Sequence, residues 1–542
     1  MTPQEWKKIR GSTPRPDQIM LSIKCDPSDS MTVRWRTDIT VNEGFVLFRE
    51  KSEDGEWKKT AAKVNRFKTD VDESNFFFAD MTGLKEDTAY EYTCGNEEYR
   101  SEIYSFRTEK KNAERFSFLC ISDVQSGGAE PPADYSVLNE VLKKILSEHP
   151  ECKFILTAGD NTNCGQTDVQ WTGLFEGLKG IIESTPIQFC MGNHDDMGFE
   201  DYFTYTGKYY SEHATYFTNQ LRYSYPENGP ENWIVPNYSF RYGNTMFAVT
   251  GTSGFEFINE WLIKTAKESD AVWKFAAHHF PVCYSGPNLE CYETYPPMME
   301  GIEKYDIMFS GHEHSYARSF PRRNNGLYDN PSEGTIHYNI GSGSRNPPGT
   351  RVVPKVWNDC TYEHEEDLSM FSIVDIDGDK CTLTAYVEDG RIVDRCVIDK
   401  GSDTITPVRR APRYNRPRIK FKGYDLGICV MGSTARNIDG IWYLPAGQII
   451  KFMGGESKHT EGKVRIEVYG RFSEFTENSD IMNTDGGELK MSAPCLRLDR
   501  EQLYVPADDF CKPLRMYWAY FSHNNFISIE SDTEQLPVSY QP

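Results

Sequence analysis

Up to about residue 110 apolar and polar positions alternate along the chain. MTVRWRT at 31–37 and GFVLFRE at 44–50 carry the period of two expected of strands with one buried face. YEYTC at 90–94 and IYSFRTEK at 103–110 repeat it after turn-like breaks. Roughly seven short strands in about a hundred residues predict an all-β sandwich over 1–110. No cluster of His, Asp or Cys marks that stretch as catalytic.

The pattern changes at Arg115. RFSFLCISD (115–123) and KFILTAGD (153–160) are apolar runs that end in an acid, as buried strands do. Between them Val137, Leu138, Val141, Leu142 and Leu146 recur at helical spacing. WTGLFEGLKGIIES (171–184) predicts a second helix and PIQFCMGNHD (186–195) a further strand. Alternating strands and helices predict an α/β layered domain over 111–400, closing with MFSIVDIDG (370–378) and KCTLTAYVEDG (380–390). In such sheets functional residues gather beyond the C-terminal ends of the strands.

GSDTITPVRRAPRYNRPR, residues 401–418, is rich in Pro and Arg and predicts a linker. Beyond it, 419–542 holds a weak internal repeat. GIWYLPAGQIIKF (440–452) matches QLYVPADDFCKPL (502–514), with Pro445 and Pro506 61 residues apart. Strand-like VRIEVYGR and FISIESD follow the two copies, so two related β-rich units are expected. They resemble the repeats called copper amine oxidase N-terminal-like, found in bacterial surface and envelope proteins. That resemblance implies a cell-envelope or carbohydrate contact, and no His/Met cluster here argues for copper.

Composition narrows the function classes. The chain has 542 residues and a formal net charge of −22, which disfavours nucleic acid or an anionic membrane as a main partner; no nucleic-acid-binding scaffold is expected. No apolar run is long enough for a transmembrane segment. The first residues, MTPQEWKKIRGSTPRPDQ, lack the apolar core of a secretory signal. The 14 cysteines lie singly, with no C-x-x-C spacing, and several sit in apolar runs such as FLCISD and IQFCMGN. They read as reduced thiols, which favours a cytoplasmic location over a disulfide framework.

Five segments carry the candidate chemistry: Asp123-Val124-Gln125, Gly159-Asp160-Asn161-Thr162-Asn163, Gly192-Asn193-His194-Asp195, His278-His279-Phe280-Pro281 and Gly311-His312-Glu313-His314. Each ends or follows an apolar run, which puts it at the mouth of a strand. Together they offer Asp, Asp, Asn, His, His and His, a donor set that suits Zn, Mn or Fe(II) without thiolate. Singly they are weak, since a Gly-Asp pair is usually a turn. Neighbours in a strand face opposite ways, so at most one of His278 and His279 is a ligand. In Gly-His-x-His both imidazoles leave the same side of an extended chain. Five of the eleven histidines fall in these segments, which favours one metal centre over five unrelated turns.

This ordered set resembles the calcineurin-like metallophosphoesterase superfamily, whose blocks run D-x-H, G-D, G-N-H-[DE], H and G-H-x-H, over residues 115–345. The nearer likeness is to purple acid phosphatases and their bacterial relatives. A β-sandwich precedes the catalytic domain, HFPVCYSG (279–286) resembles their H-x-P block, FSGHEHSYARS (309–319) their G-H-x-H-x-Y-x-R-S block, and HYNIGSGS (337–344) their closing strand. The resemblance implies a layered β-sandwich α/β core flanked by a fibronectin type III-like sandwich and a β-rich C-terminal region. It implies two divalent metal ions, Mn, Zn or Fe, sharing Asp160. Asp123 and His314 would complete one site, and Asn193, His279 and His312 the other; the H-x-P spacing selects His279. His194 would face the substrate phosphate, with Asp195 beside it favouring the imidazolium.

The chain departs from that pattern at three places. Gln125 replaces the D-x-H histidine, and Asn163 stands where purple enzymes have the tyrosine that binds iron. Either can supply a neutral oxygen to a metal or simply hydrogen-bond its loop. The histidines after the H-x-P block are missing from PNLECYETYPPMME (287–300). No G-x-S-x-G and no P-loop offers another catalytic device. The expected activity is phosphate-ester hydrolysis by a bridging hydroxide between two metals, with phosphomonoesterase ahead of phosphodiesterase. The alternative is a binding or surface-associated protein with a weakened metal site. The C-terminal repeats and the family likeness favour the cell surface or exterior, against the cytoplasmic location that the thiols suggest.

Overall fold

The computed structural model describes all residues except 1–2, 53–54, 127–132, 198–214, 232–235, 253, 287–295, 325, 346–351, 353–354, 356, 364–367, 410–416, 426–434, 499–501, 522–525 and 533–542. The loop after the H-x-P block (287–295) and the middle of the expected linker (410–416) therefore lie outside the described residues. The chain divides into two compact units, residues 1–350 with 354–411, and residues 412–542 with 351–353.

The first unit opens with a sandwich of two four-stranded antiparallel sheets. Asp17–Ser22, Ser30–Asp38, Glu73–Thr82 and Lys63–Lys68 form one, and Lys58–Ala61, Phe45–Glu50, Ala89–Gly95 and Tyr104–Arg107 the other. The alternating apolar positions meet between them, with Trp35 stacked on Phe77 at 5.3 Å.

The central domain is two seven-stranded sheets packed face to face. The first runs Ile187–Gln188, Cys152–Thr157, Arg115–Ile121, Met370–Asp377, Lys380–Val387, Ile392–Asp399 and Thr404–Arg409. The second runs Tyr238–Tyr242, Thr245–Val249, Trp273–Ala277, Ile307–Ser310, Ile336–Asn339, Tyr316–Ser319 and Asn358–Tyr362. Phe118, Phe154, Phe247, Phe275 and Phe309 fill the space between the sheets. Parallel pairing links 115–121, 152–157 and 187–188, and likewise 245–249, 273–277, 307–310 and 336–339. The helices Ser136–Glu148, Asp168–Leu178 and Phe255–Glu268 connect strands of this domain.

Two details differ from the sequence reading. Only Ile187–Gln188 of PIQFCMGNHD joins a sheet, and Asn193–Asp196 is a helical turn. Thr404–Arg409, inside the expected linker, is the edge strand beside Ile392–Asp399. Its Thr-Ile-Thr-Pro-Val sequence is β-branched, and Pro407 is tolerated because an edge strand need not donate outward.

The sandwich and the central domain share one apolar core, since Met20 and Ile23 pack with Phe118 and Leu156. The Leu21 N–H donates to the Ile182 carbonyl, and the Ile23 N–H to Gln188 Oε1. Arg34 is fully buried at this seam, its guanidinium 4.9 Å from the Phe76 ring centre and 4.2 Å from that of Phe175. Burial lowers its pKa to about 9.

The second unit is all-β with short helices. Tyr443, Leu444 and Pro445 pair antiparallel with Pro506, Val505 and Tyr504, so the two Tyr-x-Pro-Ala motifs face each other in mirrored register. A helix follows each, Ala446–Phe452 and Ala507–Cys511, and both bury their apolar side in one core with Ile466, Phe475 and Ile527. No helix among the described residues is long and apolar enough to cross a membrane.

Candidate metal centre

The parallel strands of both sheets deliver their C-terminal loops to one place. Asp123 follows 115–121, Asp160 follows 152–157, Asn193 follows 187–188, His279 follows 273–277, and His312 and His314 follow 307–310. The first two loops are laced together, the Asp123 N–H donating to the Gly159 carbonyl and the Gln125 N–H to that of Asp160. Asp123, Asp160 and His312 all have left-handed backbones, with φ of 52°, 50° and 67°. Such conformations cost energy for non-glycine residues and persist where surrounding structure enforces them. Gly192 is needed for space, because a Cβ there would lie 2.1 Å from Asp160 Oδ1.

One group of donors converges tightly. His279 Nε2 and His312 Nδ1 each lie 3.0 Å from Asn193 Oδ1, and His279 Nε2 is 3.2 Å from Asp160 Oδ2. The ligand atoms of Asp160, His279 and His312 all lie within 4.8 Å of one another. The His279 Nδ1–H donates to the Ala158 carbonyl at 2.9 Å, which leaves Nε2 as the free electron pair, the usual support for a metal-binding imidazole. Burial opposes charge on His279, yet the Asp160 and Asp123 carboxylates outweigh it and raise the imidazole to about 9. Burial and that neighbouring charge push His312 down to about 3.

A second group adjoins it through Asp160. His314 Nε2 is 3.4 Å from Asp123 Oδ1, and the His312 N–H donates to both oxygens of Asp123 at 3.0 Å. Gln125 Nε2 is 3.5 Å from Asp160 Oδ2, while its Oε1 is buried without a hydrogen-bond partner. Half a turn of that amide exchanges the two atoms, so an oxygen can face a cation held between Gln125 and Asp160. His312 and His314 reach the two groups from a bend and not from the extended chain that their spacing suggests. Hard oxygens, imidazoles and a buried orphan oxygen fit two divalent cations.

The remaining predicted residues are placed differently. His194 is 22% exposed at the rim, with Nε2 3.9 Å from Asp160 Oδ2. Its Nδ1 meets the Asn163 carbonyl at 2.9 Å, so Asn163 touches the site through its backbone. No bond between the Asn163 side chain and the donor set is found among the described residues. Asp195 corrects its expected role beside the His194 ring. It is fully buried and accepts from Asn161, Thr162 and Gly192. In a helical turn consecutive side chains diverge, so neighbours in sequence do not face each other. Burial and the Asp160 charge push the Asp195 carboxyl up to about 6. His278 turns away from the centre, with Nδ1 2.8 Å from Thr250 Oγ1.

Two supports escaped the sequence reading. Ser342 and Ser344, in the GSGS run, donate to the Asp123 carbonyl at 2.8 and 3.1 Å and pin its turn. Glu313 is buried between the two histidines and accepts the Ser285 and Gly286 N–H groups, tying the His279 loop to the His312 loop. The signal for Glu313 was an acid enclosed between two candidate ligand histidines.

Comparison with known proteins adds to this geometry. Residues 16–108 match the model of the purple acid phosphatase N-terminal domain, and residues 116–316 that of the calcineurin-like phosphoesterases. Purple acid phosphatase 15 of Arabidopsis thaliana is 24% identical over 272 residues, 44% of this chain and 48% of that protein, so the chain spans about half of that relative's length. An uncharacterized protein of Mycobacterium tuberculosis (strain H37Rv) is 23% identical over 398 residues, 65% of this chain and 74% of the relative. The structure of purple acid phosphatase PPD1 from yellow lupin (Lupinus luteus) seeds shares the fold, with a TM-score of 0.55 and 20% identity over 72% of this chain and 75% of that one.

Proposed function

We propose that this chain, whose residues 116–316 are a calcineurin-like phosphoesterase domain, is a metal-dependent phosphoric ester hydrolase with a preference for monoesters. The observation that carries this is the meeting of His279 Nε2, His312 Nδ1, Asn193 Oδ1 and Asp160 Oδ2 at the strand ends, with Asp123, His314 and Gln125 beside them. Two divalent cations held by these residues would supply Lewis acidity towards the phosphoryl oxygens and would activate a water for attack. The protein's part is to hold the ligands, with Asp160 shared, and to present His194 Nε2 at the rim. The Asn163 carbonyl fixes the proton of His194 on Nδ1, which orients Nε2 towards a bound phosphate or its leaving oxygen. Preference for monoesters follows from that arrangement, because a cationic imidazole at the rim favours the dianionic group. The test is turnover of nitrophenyl phosphate and bis(nitrophenyl) phosphate by Mn- or Zn-loaded protein. Faster monoester cleavage is expected; faster diester cleavage would reverse the preference, and no turnover of either would end the reading.

Asn163 makes a second outcome specific. An amide cannot give the phenolate-to-iron charge-transfer band, so the purified protein is expected to be colourless or pale and most active with divalent ions. An intense purple band that survives Asn163→Ala would contradict this.

The second unit offers a surface for the expected envelope or carbohydrate contact. Edge strand Met516–Phe521 leaves Tyr517 62% and Phe521 47% exposed. Phe521 stacks on Phe526 at 4.8 Å, and the Lys420 ammonium lies 4.5 Å from the Phe526 ring centre. Exposed flat rings flanked by polar groups suit a sugar polymer, since each offers an apolar face with a polar border. The double variant Tyr517→Ala/Phe521→Ala is expected to abolish retention on insoluble cell-wall polysaccharide while turnover stays unchanged. Equal retention of both proteins would refute the contact.

A further inference from the structure

The carboxylate of Asp195 is fully buried and engaged by donors from two loops at once. Its Oδ1 accepts the Asn161 N–H (2.9 Å), the Thr162 N–H (2.8 Å) and the Thr162 hydroxyl (3.0 Å). Its Oδ2 accepts the Asn161 Nδ2–H and the Gly192 N–H, both at 2.8 Å. Asn161 and Thr162 directly follow the shared ligand Asp160, and Gly192 directly precedes Asn193. The ring closes where the His194 N–H donates to Asp160 Oδ1 at 2.9 Å. A second Asn161 bond, Nδ2 to the Cys190 carbonyl at 2.8 Å, anchors the assembly to the chain leading into Gly192. Asp123 and His314 come from other loops and make none of these bonds.

We infer that Asp195 is a positioning residue that fixes Asp160 and Asn193 as one unit, and with it the occupancy of the Asn193–His279–His312 site and its spacing from the neighbouring cation. This rests on the dinuclear reading above. A carboxylate bearing this many donors is a strong clamp, because each bond is charge-assisted. In Asp195→Asn one acceptor becomes an NH2 group that must face donors. It meets three donors at the Oδ1 position and two at the Oδ2 position, so it settles at Oδ2. That position holds the Gly192 N–H, which closes the turn around Asn193, and the Asn161 Nδ2–H, one of the bonds that join the two loops.

The experiment compares wild type, Asp195→Asn and Thr162→Val as intact chains loaded with Mn(II). Metal per chain is measured after desalting, exchange coupling by electron paramagnetic resonance, and folding by circular dichroism. Wild type and Thr162→Val, which loses a single hydroxyl bond, are expected to hold a coupled Mn pair. Folded Asp195→Asn is expected to hold a single, uncoupled Mn. A residue that only stabilised the fold would lower the melting temperature and leave the coupled pair intact in the folded fraction, and that result overturns the inference. If Asp195→Asn does not fold, Asn161→Ala replaces it. That variant removes a donor from the same carboxylate and is expected to weaken the second Mn by about 10–100-fold, as loss of a ligand-supporting contact does; unchanged affinity is the overturning result. A wild type without a coupled pair would instead remove the dinuclear reading itself.

Discussion

Asp160→Ala is expected to empty both cation sites and abolish hydrolysis. The Asp160 carboxylate touches both donor groups, with Oδ2 at 3.2 Å from His279 Nε2 and 3.5 Å from Gln125 Nε2. Burial opposes its charge, but His279 and His194 draw its pKa below the usual carboxylate range. Its removal takes away the shared anion and leaves His279 without its main counter-charge. Loss of a cation and loss of the fold have to be separated, because Asp160 Oδ1 also accepts the His194 N–H. Asp160→Asn keeps that acceptor and tolerates the left-handed backbone, so it is expected to fold while losing the metals. Metal content by elemental analysis and turnover of nitrophenyl phosphate check both variants. Two retained metals with near-normal turnover in either would mean that the five segments do not form the centre described.

The strands that build the site were legible because parallel strands between layers read as continuous apolar runs, as in 115–121 and 152–157. The ligand loops were legible for a different reason: each run stops at an acid, amide or histidine. What could not be read was how those loops turn. Gly192 must press against Asp160, which forces Asn193–Asp196 into a helical turn where periodicity suggested a strand. That turn sends Asp195 into the interior and His194 to the rim, so adjacency in sequence misassigned the pair. The left-handed backbones at Asp123, Asp160 and His312 leave no periodic trace either, since they are single residues held by contacts distant in sequence. The edge strand at 404–409 was hidden by Pro407, and the mirrored pairing of the Tyr-x-Pro-Ala motifs by the distance of the two copies along the chain.

His194→Ala is expected to lower kcat by about 10²–10⁴-fold, the usual contribution of a general acid, with the metal content unchanged. Its ring lies at the rim, 22% exposed, with Nε2 3.9 Å from Asp160 Oδ2, and it is not part of the mutually converging set of Asp160, His279 and His312. With Nδ1 donating to the Asn163 carbonyl, Nε2 is the atom left to face a substrate. An imidazolium there stabilises negative charge spread over the phosphoryl oxygens and can give its proton to the departing oxygen. The two contributions separate by leaving group. An alkyl phosphate leaves as a strong base and needs the proton, whereas nitrophenolate does not, so the loss is expected to be larger for alkyl esters. Equal losses for the two classes would make His194 a phosphate-positioning residue without an acid role. Loss of a cation on substitution would make it a ligand, and would place the Gly-Asn-His-Asp segment one residue out of register with the site.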